Sequence, residues 1–225
     1  MGGSDLIRHH RHVQALAICL AALAGYIDAV AFIDTRGFFV SFMSGNTTRL
    51  GVGIAHDAAA GAAAAGLIAT FVVGVASGSL TGHFARAHRR VAVLLLVTVL
   101  IAAAASCAML GERTAAIVCM ALAMGAENAV FERDGEIEIG LTYMTGTLVK
   151  LGQRLAAFLR GGDRFGWASY LMLWLGLLSG GATGALVYGA IGLSALWIAA
   201  LVAGAMVMAA RLAEPHGLIA APARD

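Results

Sequence analysis

Charge is what this sequence has least of. Asp, Glu, Lys and Arg make up 12% of its 225 residues, where ordinary soluble domains carry about 25%. That is too little to cover a water-facing surface, which excludes a soluble globular enzyme. Disorder is excluded too, because it needs low hydrophobicity and high net charge, whereas 60% of this chain is hydrophobic. A net charge of +2 gives no basis for a nucleic-acid-binding surface. Cysteine is also scarce. Cys19, Cys107 and Cys119 lie singly inside apolar runs with no CxxC spacing, and read as small buried hydrophobes rather than metal ligands or disulfides.

Catalytic signatures are missing as well. There is no GxSxG elbow, no HExxH, no GxxxxGK[ST] and no GxGxxG opening after a strand. The residues therefore point away from an enzyme and call for no cofactor and no metal. The acidic stretch 132–138 lacks metal-loop spacing and reads as a solvated loop. Gly2 suggests N-myristoylation, but Leu6 stands where that motif needs Ser or Thr.

What the chain has in abundance is long apolar runs, and its mean hydropathy is +0.84. About 20 apolar residues cross a bilayer as a helix. Residues 13–33 qualify with Asp28 inside them, 58–82 and 91–111 carry no charge, and 114–131 qualify with Glu127 inside them. The charge-free run 165–210 is long enough for two helices, with a turn expected within 189–194. That makes six spans. The N-terminus carries Arg8 and Arg11 like a signal-peptide n-region, but the first run is long and others follow, so a retained span is expected.

Two stretches remain, 37–57 and 140–159, and each has a Gly-centred polar break. They are copies. Phe42-Met43-Ser44-Gly45-Asn46-Thr47-Thr48-Arg49-Leu50-Gly51 aligns with Tyr143-Met144-Thr145-Gly146-Thr147-Leu148-Val149-Lys150-Leu151-Gly152. Upstream, Gly25-Tyr26-Ile27-Asp28-Ala29 matches Gly125-Ala126-Glu127-Asn128-Ala129. Downstream, Gly74, Gly78 and Gly82 match Gly176, Gly180 and Gly184 at an offset of 102. The expected organisation is a cytoplasmic tail (1–12), a first membrane repeat (13–111), a second (112–211) and a C-terminal tail (212–225). If the two broken stretches re-enter without crossing, twelve Lys and Arg fall on the N-terminal side and three opposite; if both cross, the split is ten against five. The positive-inside rule favours the first arrangement, with the N-terminus cytoplasmic; a seven- or eight-span version is the alternative. Three spans per copy make the repeats inverted, so the fold class is an all-α integral membrane protein of about six helices, each repeat carrying a broken or re-entrant helix.

Broken helices in inverted repeats are a recurring build of transporter sites, because a helix restarting at membrane depth aims free N–H groups at a solute. The residues placed at such a site are Ser44, Gly45, Asn46 and Thr47, with Thr145, Gly146 and Thr147. Acids inside a span are functional candidates by default, which adds Asp28 and Glu127 with Asn128. Arg49 and Lys150 are their expected ion-pair partners. The glycine stripes suit close helix approach, either inside the chain or in a homodimer. The expected function is transport of a small polar or charged solute or ion across the bilayer. The alternative is a non-transporting membrane protein, either an enzyme on a lipid-borne substrate or a structural partner.

The pattern Gly25-x-x-Asp28-Ala29, with Phe39-Val40-Ser41-Phe42-Met43-Ser44-Gly45-Asn46-Thr47 and Tyr143-Met144-Thr145-Gly146-Thr147, resembles the YoaK-like family. These are bacterial polytopic inner-membrane proteins with a domain of unknown function. The resemblance covers nearly the whole chain and implies location and topology, but no substrate. Family members often carry Gln-Asn where this chain has Glu127-Asn128.

Overall fold

A computed structural model describes the backbone of residues 3–133, 136–137 and 144–213, with side chains for 13–132 and 144–212. The two expected tails, Tyr143 and most of the acidic stretch thus fall outside the described side chains. Among the described residues the protein is all-helical apart from a two-residue antiparallel ladder, Glu132 opposite Ile137 and Arg133 opposite Glu136. The long helices are α1 (Gly3–Asp34), α3 (Ala58–Ala85), α4 (Arg89–Met109), α5 (Arg113–Glu127), α7 (Ala168–Ile191) and α8 (Ala195–Ala213). Two others, α2 (Met43–His56) and α6 (Met144–Leu159), carry the copied motifs.

Four continuous helical stretches are long and apolar enough to cross a membrane: Val13–Asp34, Ala58–Met109, Arg113–Phe131 and Ala168–Leu212. The second and fourth, of 52 and 45 residues, each break once. The breaks are single 3-10 turns at Arg86–His88 and Gly192–Ser194, opened by left-handed backbone at Arg86 (φ 46°) and Gly192 (φ 60°). The turn expected within 189–194 is therefore the Gly192–Ser194 one.

In lipid, helices gain little by hiding apolar surface from one another, so close backbone approach has to hold them together. Glycine provides it here twice. Gly74 and Gly78 of α3 sit against the backbone of Leu122 and Ala126 on α5; Gly180 and Gly184 of α7 sit against Ala22 and Tyr26 on α1. The contacts are reciprocal, since Gly125 of α5 lies on the Phe71 carbonyl and Gly25 of α1 on the Leu177 carbonyl. Residue numbers rise together across each crossing, so α3 runs parallel to α5 and α7 parallel to α1.

These contacts correct the sequence alignment of the stripes. Gly74 and Gly78 correspond in their contacts to Gly180 and Gly184, an offset of 106 rather than 102. The same offset relates Arg86 to Gly192 at the two breaks. A stripe with glycine at every fourth position looks the same after a slide of one helical turn, so only the facing helix fixes its register. The stripes are also filled within the chain: Gly74, Gly78, Gly180 and Gly184 each lie on the backbone of a facing helix.

Between the crossings lies a core of Leu20, Ile27, Leu94, Ile101, Met120, Met124 and Leu196, all fully buried. The Tyr26 hydroxyl donates to the Ala195 carbonyl at 3.0 Å and ties α1 to the start of α8. The three cysteines are free, and none belongs to this core: Cys19 is exposed, and Cys107 and Cys119 are half-buried.

Candidate functional site

The end of α1 turns the chain back on itself. The Thr35 hydroxyl donates to the Ala31 carbonyl (2.7 Å) and accepts from the Phe38 N–H (3.0 Å). Arg36 (φ 58°) and Gly37 (φ 118°) then reverse direction in backbone conformations that favour glycine. The chain descends beside α1 to Phe42, where α2 begins. From there α2 returns to Asp57, whose carboxylate caps α3 by accepting from the Ala59 and Ala60 N–H groups at 3.1 Å each.

At the foot of this descent stands Asp28. It lies six residues before the end of α1, about 9 Å along the axis. Its Oδ1 accepts from the N–H groups of Val40 and Ser41, both at 2.8 Å, and its Oδ2 accepts from the Ser41 hydroxyl at 2.5 Å. Backbone in a low-dielectric setting must have its N–H groups satisfied. The carboxylate does this for the non-helical approach to α2, much as an anion occupies a helix N-terminus. Buried Asn46 holds the other side: its Oδ1 accepts from the Phe39 N–H (3.1 Å) and its Nδ2 donates to the Phe39 carbonyl (2.7 Å).

The break therefore sits at 35–42, not at Ser44-Gly45-Asn46. Those three residues form the first turn of α2, and Thr145-Gly146-Thr147 the first turn of α6. The shift has a physical cause. A break at membrane depth settles where acceptors for its N–H groups exist, and Asp28 and Asn46 supply them at 39–41. The remaining polar side chains fold back on their own helix: the Thr47 hydroxyl donates to the Met43 carbonyl (2.8 Å) and Thr48 to Ser44 (3.3 Å). Ser44, Thr47, Thr145, Gly146 and Lys150 are exposed, Thr147 is buried, and Gly45 packs beneath the Phe42 ring.

The expected ion pairs are not made. Arg49 lays its guanidinium over the Phe38 ring, 4.6 Å from the centroid, and against Gly37 rather than on Asp28. Glu127 is fully buried, and neither of its carboxylate oxygens has a hydrogen-bond partner among the described residues. Asp28 is near enough to act on it electrostatically. Neighbouring Asn128, also buried, donates to the Met124 carbonyl at 2.9 Å. Arg89 instead pairs with Glu132 at 2.7 Å, and Ser79 donates to the same carboxylate at 2.5 Å. Glu132 is thus anchored between α3 and α4, where a solvated loop was expected.

Beside Asp28 opens a cavity of about 550 Å³, bounded by α1, the descent to α2, the start of α6 and the middle of α7. Asp28 and Ser41 are its polar lining residues, and the rest is apolar, including Phe32, Phe39, Phe42 and Met144. The three phenylalanines form one cluster: Phe32 and Phe39 centroids are 4.8 Å apart and Phe39 and Phe42 are 5.1 Å apart, the latter edge-on. A second cavity of about 350 Å³ lies where α1, α4 and α7 end, between Asp34, Arg113 and Tyr188, whose hydroxyl donates to Asp34 at 2.9 Å. Its charges are already opposed, whereas the cavity beside Asp28 has no cation among its described lining residues.

Sequence reasoning missed Ser41 and the phenylalanine cluster. The signal was available: an acid inside a span needs donors, and Val40-Ser41 is the first segment the chain brings back to its depth.

The family described as "Protein of unknown function (DUF1275)" matches residues 16–209, from the first spanning helix to the last. The chain belongs to the DUF1275 family. It is 37% identical over 197 residues to a UPF0700 transmembrane protein of Rhizobium meliloti (strain 1021), covering 87% of this chain and 85% of that one. No solved structure matches. Membership accords with the apolar helices, and the resemblance to a membrane family of unknown function holds. In this DUF1275 protein, Asp28, Asn46 and the two crossings all fall within the matched residues.

Proposed function

We propose that this protein is a multi-pass transporter of a small polar or charged solute, built from two inverted halves in the bacterial inner membrane. The observation that carries this reading is the re-entrant start of α2, held at depth by Asp28 and opening onto a cavity. Irregular backbone inside a membrane is tolerated where it lines such a space, and substrate sites of secondary transporters are commonly built this way.

The crossings support the inverted halves. Each joins the first helix of one half to the glycine stripe of the other, with matching contacts in both. The end of α1 and the start of α5 meet at the Asp34–Arg113 cavity, so these equivalent helices run in opposite directions. The surface reached by the end of α5 also carries Arg86, Arg89, Arg90, Arg160, Arg164 and Arg211, and the positive-inside rule makes it cytoplasmic. An alternating exchange between the halves then exposes the cavity to one side at a time.

Two experiments test this. The protein is reconstituted in liposomes and solute flux is measured across a panel of ions and metabolites; saturable flux lost in Asp28→Ala is expected, and no flux from any solute rejects transport. For topology, a cysteine-free background carrying Arg86→Cys is labelled in intact cells with an impermeant reagent. No labelling is expected, and labelling from outside overturns the six-span inverted arrangement.

A further inference from the structure

We infer that the cavity beside Asp28 takes a bulky organic cation with an apolar body, of the quaternary ammonium or phosphonium class. This narrows the transport reading to one substrate chemistry and rests on the same site.

Charge comes first. Asp28 receives three short hydrogen bonds, from Val40, Ser41 and the Ser41 hydroxyl, all of them from neutral donors. These arrange the carboxylate as an acceptor without cancelling its charge. Arg49, the basic side chain expected to pair with it, is held away on Phe38. Glu127, the other buried acid, brings no positive charge to Asp28. The field in the cavity is therefore that of a negative site with no cation among its described lining residues, and Coulomb attraction there is far stronger than in water.

Shape and lining decide what kind of cation. A hydrated metal ion needs several oxygen ligands, and among the described residues no group of three or more His, Cys, Asp or Glu is placed to hold one. A primary amine needs free acceptors for three N–H donors, but the accessible carboxylate has most of its acceptor sites taken. What remains is the field of the carboxylate and the faces of Phe32, Phe39 and Phe42, the combination that recognises quaternary cations through cation–π attraction. The volume of about 550 Å³ lies within the range of small-molecule sites, and its apolar walls, Leu177 and Met144 among them, suit an apolar body.

Protein in lipid nanodiscs is titrated with tetraphenylphosphonium and, separately, with tetraphenylborate, an anion of nearly the same shape. The expected result is saturable phosphonium binding, weakened at least tenfold in Asp28→Asn and in Ala185→Phe, which fills the cavity from α7 without touching the carboxylate. Borate binding is expected to be non-saturable. Equal saturable binding of both ions, or phosphonium binding unchanged in both variants, overturns the inference. Ala185→Phe keeps the test decisive where Asp28→Asn fails to fold. Failures are separable: phosphonium that binds in an Asp28-dependent way but is not carried into liposomes rejects transport and leaves the cation site standing. Flux of other solutes without phosphonium binding does the reverse.

Discussion

Asp28 and Glu127 occupy neighbouring places in the repeated pattern, on the first helix of each half, yet their surroundings differ completely. Asp28 sits among three donors at the edge of a cavity. Glu127 sits in the packed interior with neither oxygen engaged. The halves differ one turn further along as well. By the contact offsets, Phe32 corresponds to Glu132 and Ala185 to Ser79. At the crossing of α1 and α7 that pair lines the open cavity; at the crossing of α3 and α5 its counterpart is a hydrogen bond, closed further by Arg89. The same scaffold thus holds an open site on one side and an ionic latch on the other. A shared backbone plan decides where a pocket can form, and a few side chains decide whether it stays open.

The sharpest way to break this comparison is at the crossings on which both halves depend. A Cβ on Gly180 would overlap the Ala22 carbonyl, which is backbone and cannot step aside. Gly180→Leu is expected to lose about 3 kcal/mol or more by overpacking, seen as loss of folded protein on size-exclusion chromatography. Gly51→Ala meets open space and is expected to leave the elution profile unchanged.

Next in size is Asp28→Ala. It strands the Val40 and Ser41 N–H groups and the Ser41 hydroxyl, and unsatisfied buried groups cost about 1–3 kcal/mol each. A drop of several degrees in the melting temperature is expected, with Asp28→Asn falling between the two because it keeps an acceptor. Asp28→Ala melting like wild type would show that these contacts do not hold the segment between α1 and α2.

Opening the latch is a smaller change. Glu132→Gln replaces a partly buried ion pair while preserving an acceptor for Ser79, and about 1 kcal/mol is expected from its melting curve. Glu132→Phe, which copies Phe32, is the sharper form: it also removes the acceptor of the Ser79 hydroxyl and is expected to lower the melting temperature further than Glu132→Gln.

The smallest effect is expected at the other buried acid. Glu127→Gln breaks no hydrogen bond and no ion pair, and it removes a group whose charged form is costly in that interior. Its melting temperature is expected to equal or exceed that of wild type. A fall of several degrees would show that Glu127 has a partner in the folded protein.

Much of this was legible from residues alone. Apolar run length announced the spans, because a bilayer sets how many residues a helix needs to cross it. The copied Met-[Ser/Thr]-Gly pattern announced two matching short helices, and both appear as α2 and α6. Asp28 stood out because an acid in an apolar run demands a reason. Less legible was the place of the break. Ser44-Gly45-Asn46 looks flexible in sequence, yet it is helical, because the acceptors that let the backbone open lie twelve and thirteen residues away from the N–H groups they serve, at Asp28.

Composition and patterning by themselves determined that this is a membrane protein with several long apolar helices, and they carry a motif that occurs twice in the sequence. These follow from local properties: hydrophobic length, the charge of loops, the repetition of a motif. Only the tertiary structure decided the register of the glycine stripes, the partner of each acid and the existence of the cavity. A four-residue glycine period is degenerate until a second helix lies in it, and a carboxylate's neighbours depend on which distant backbone folds back to meet it.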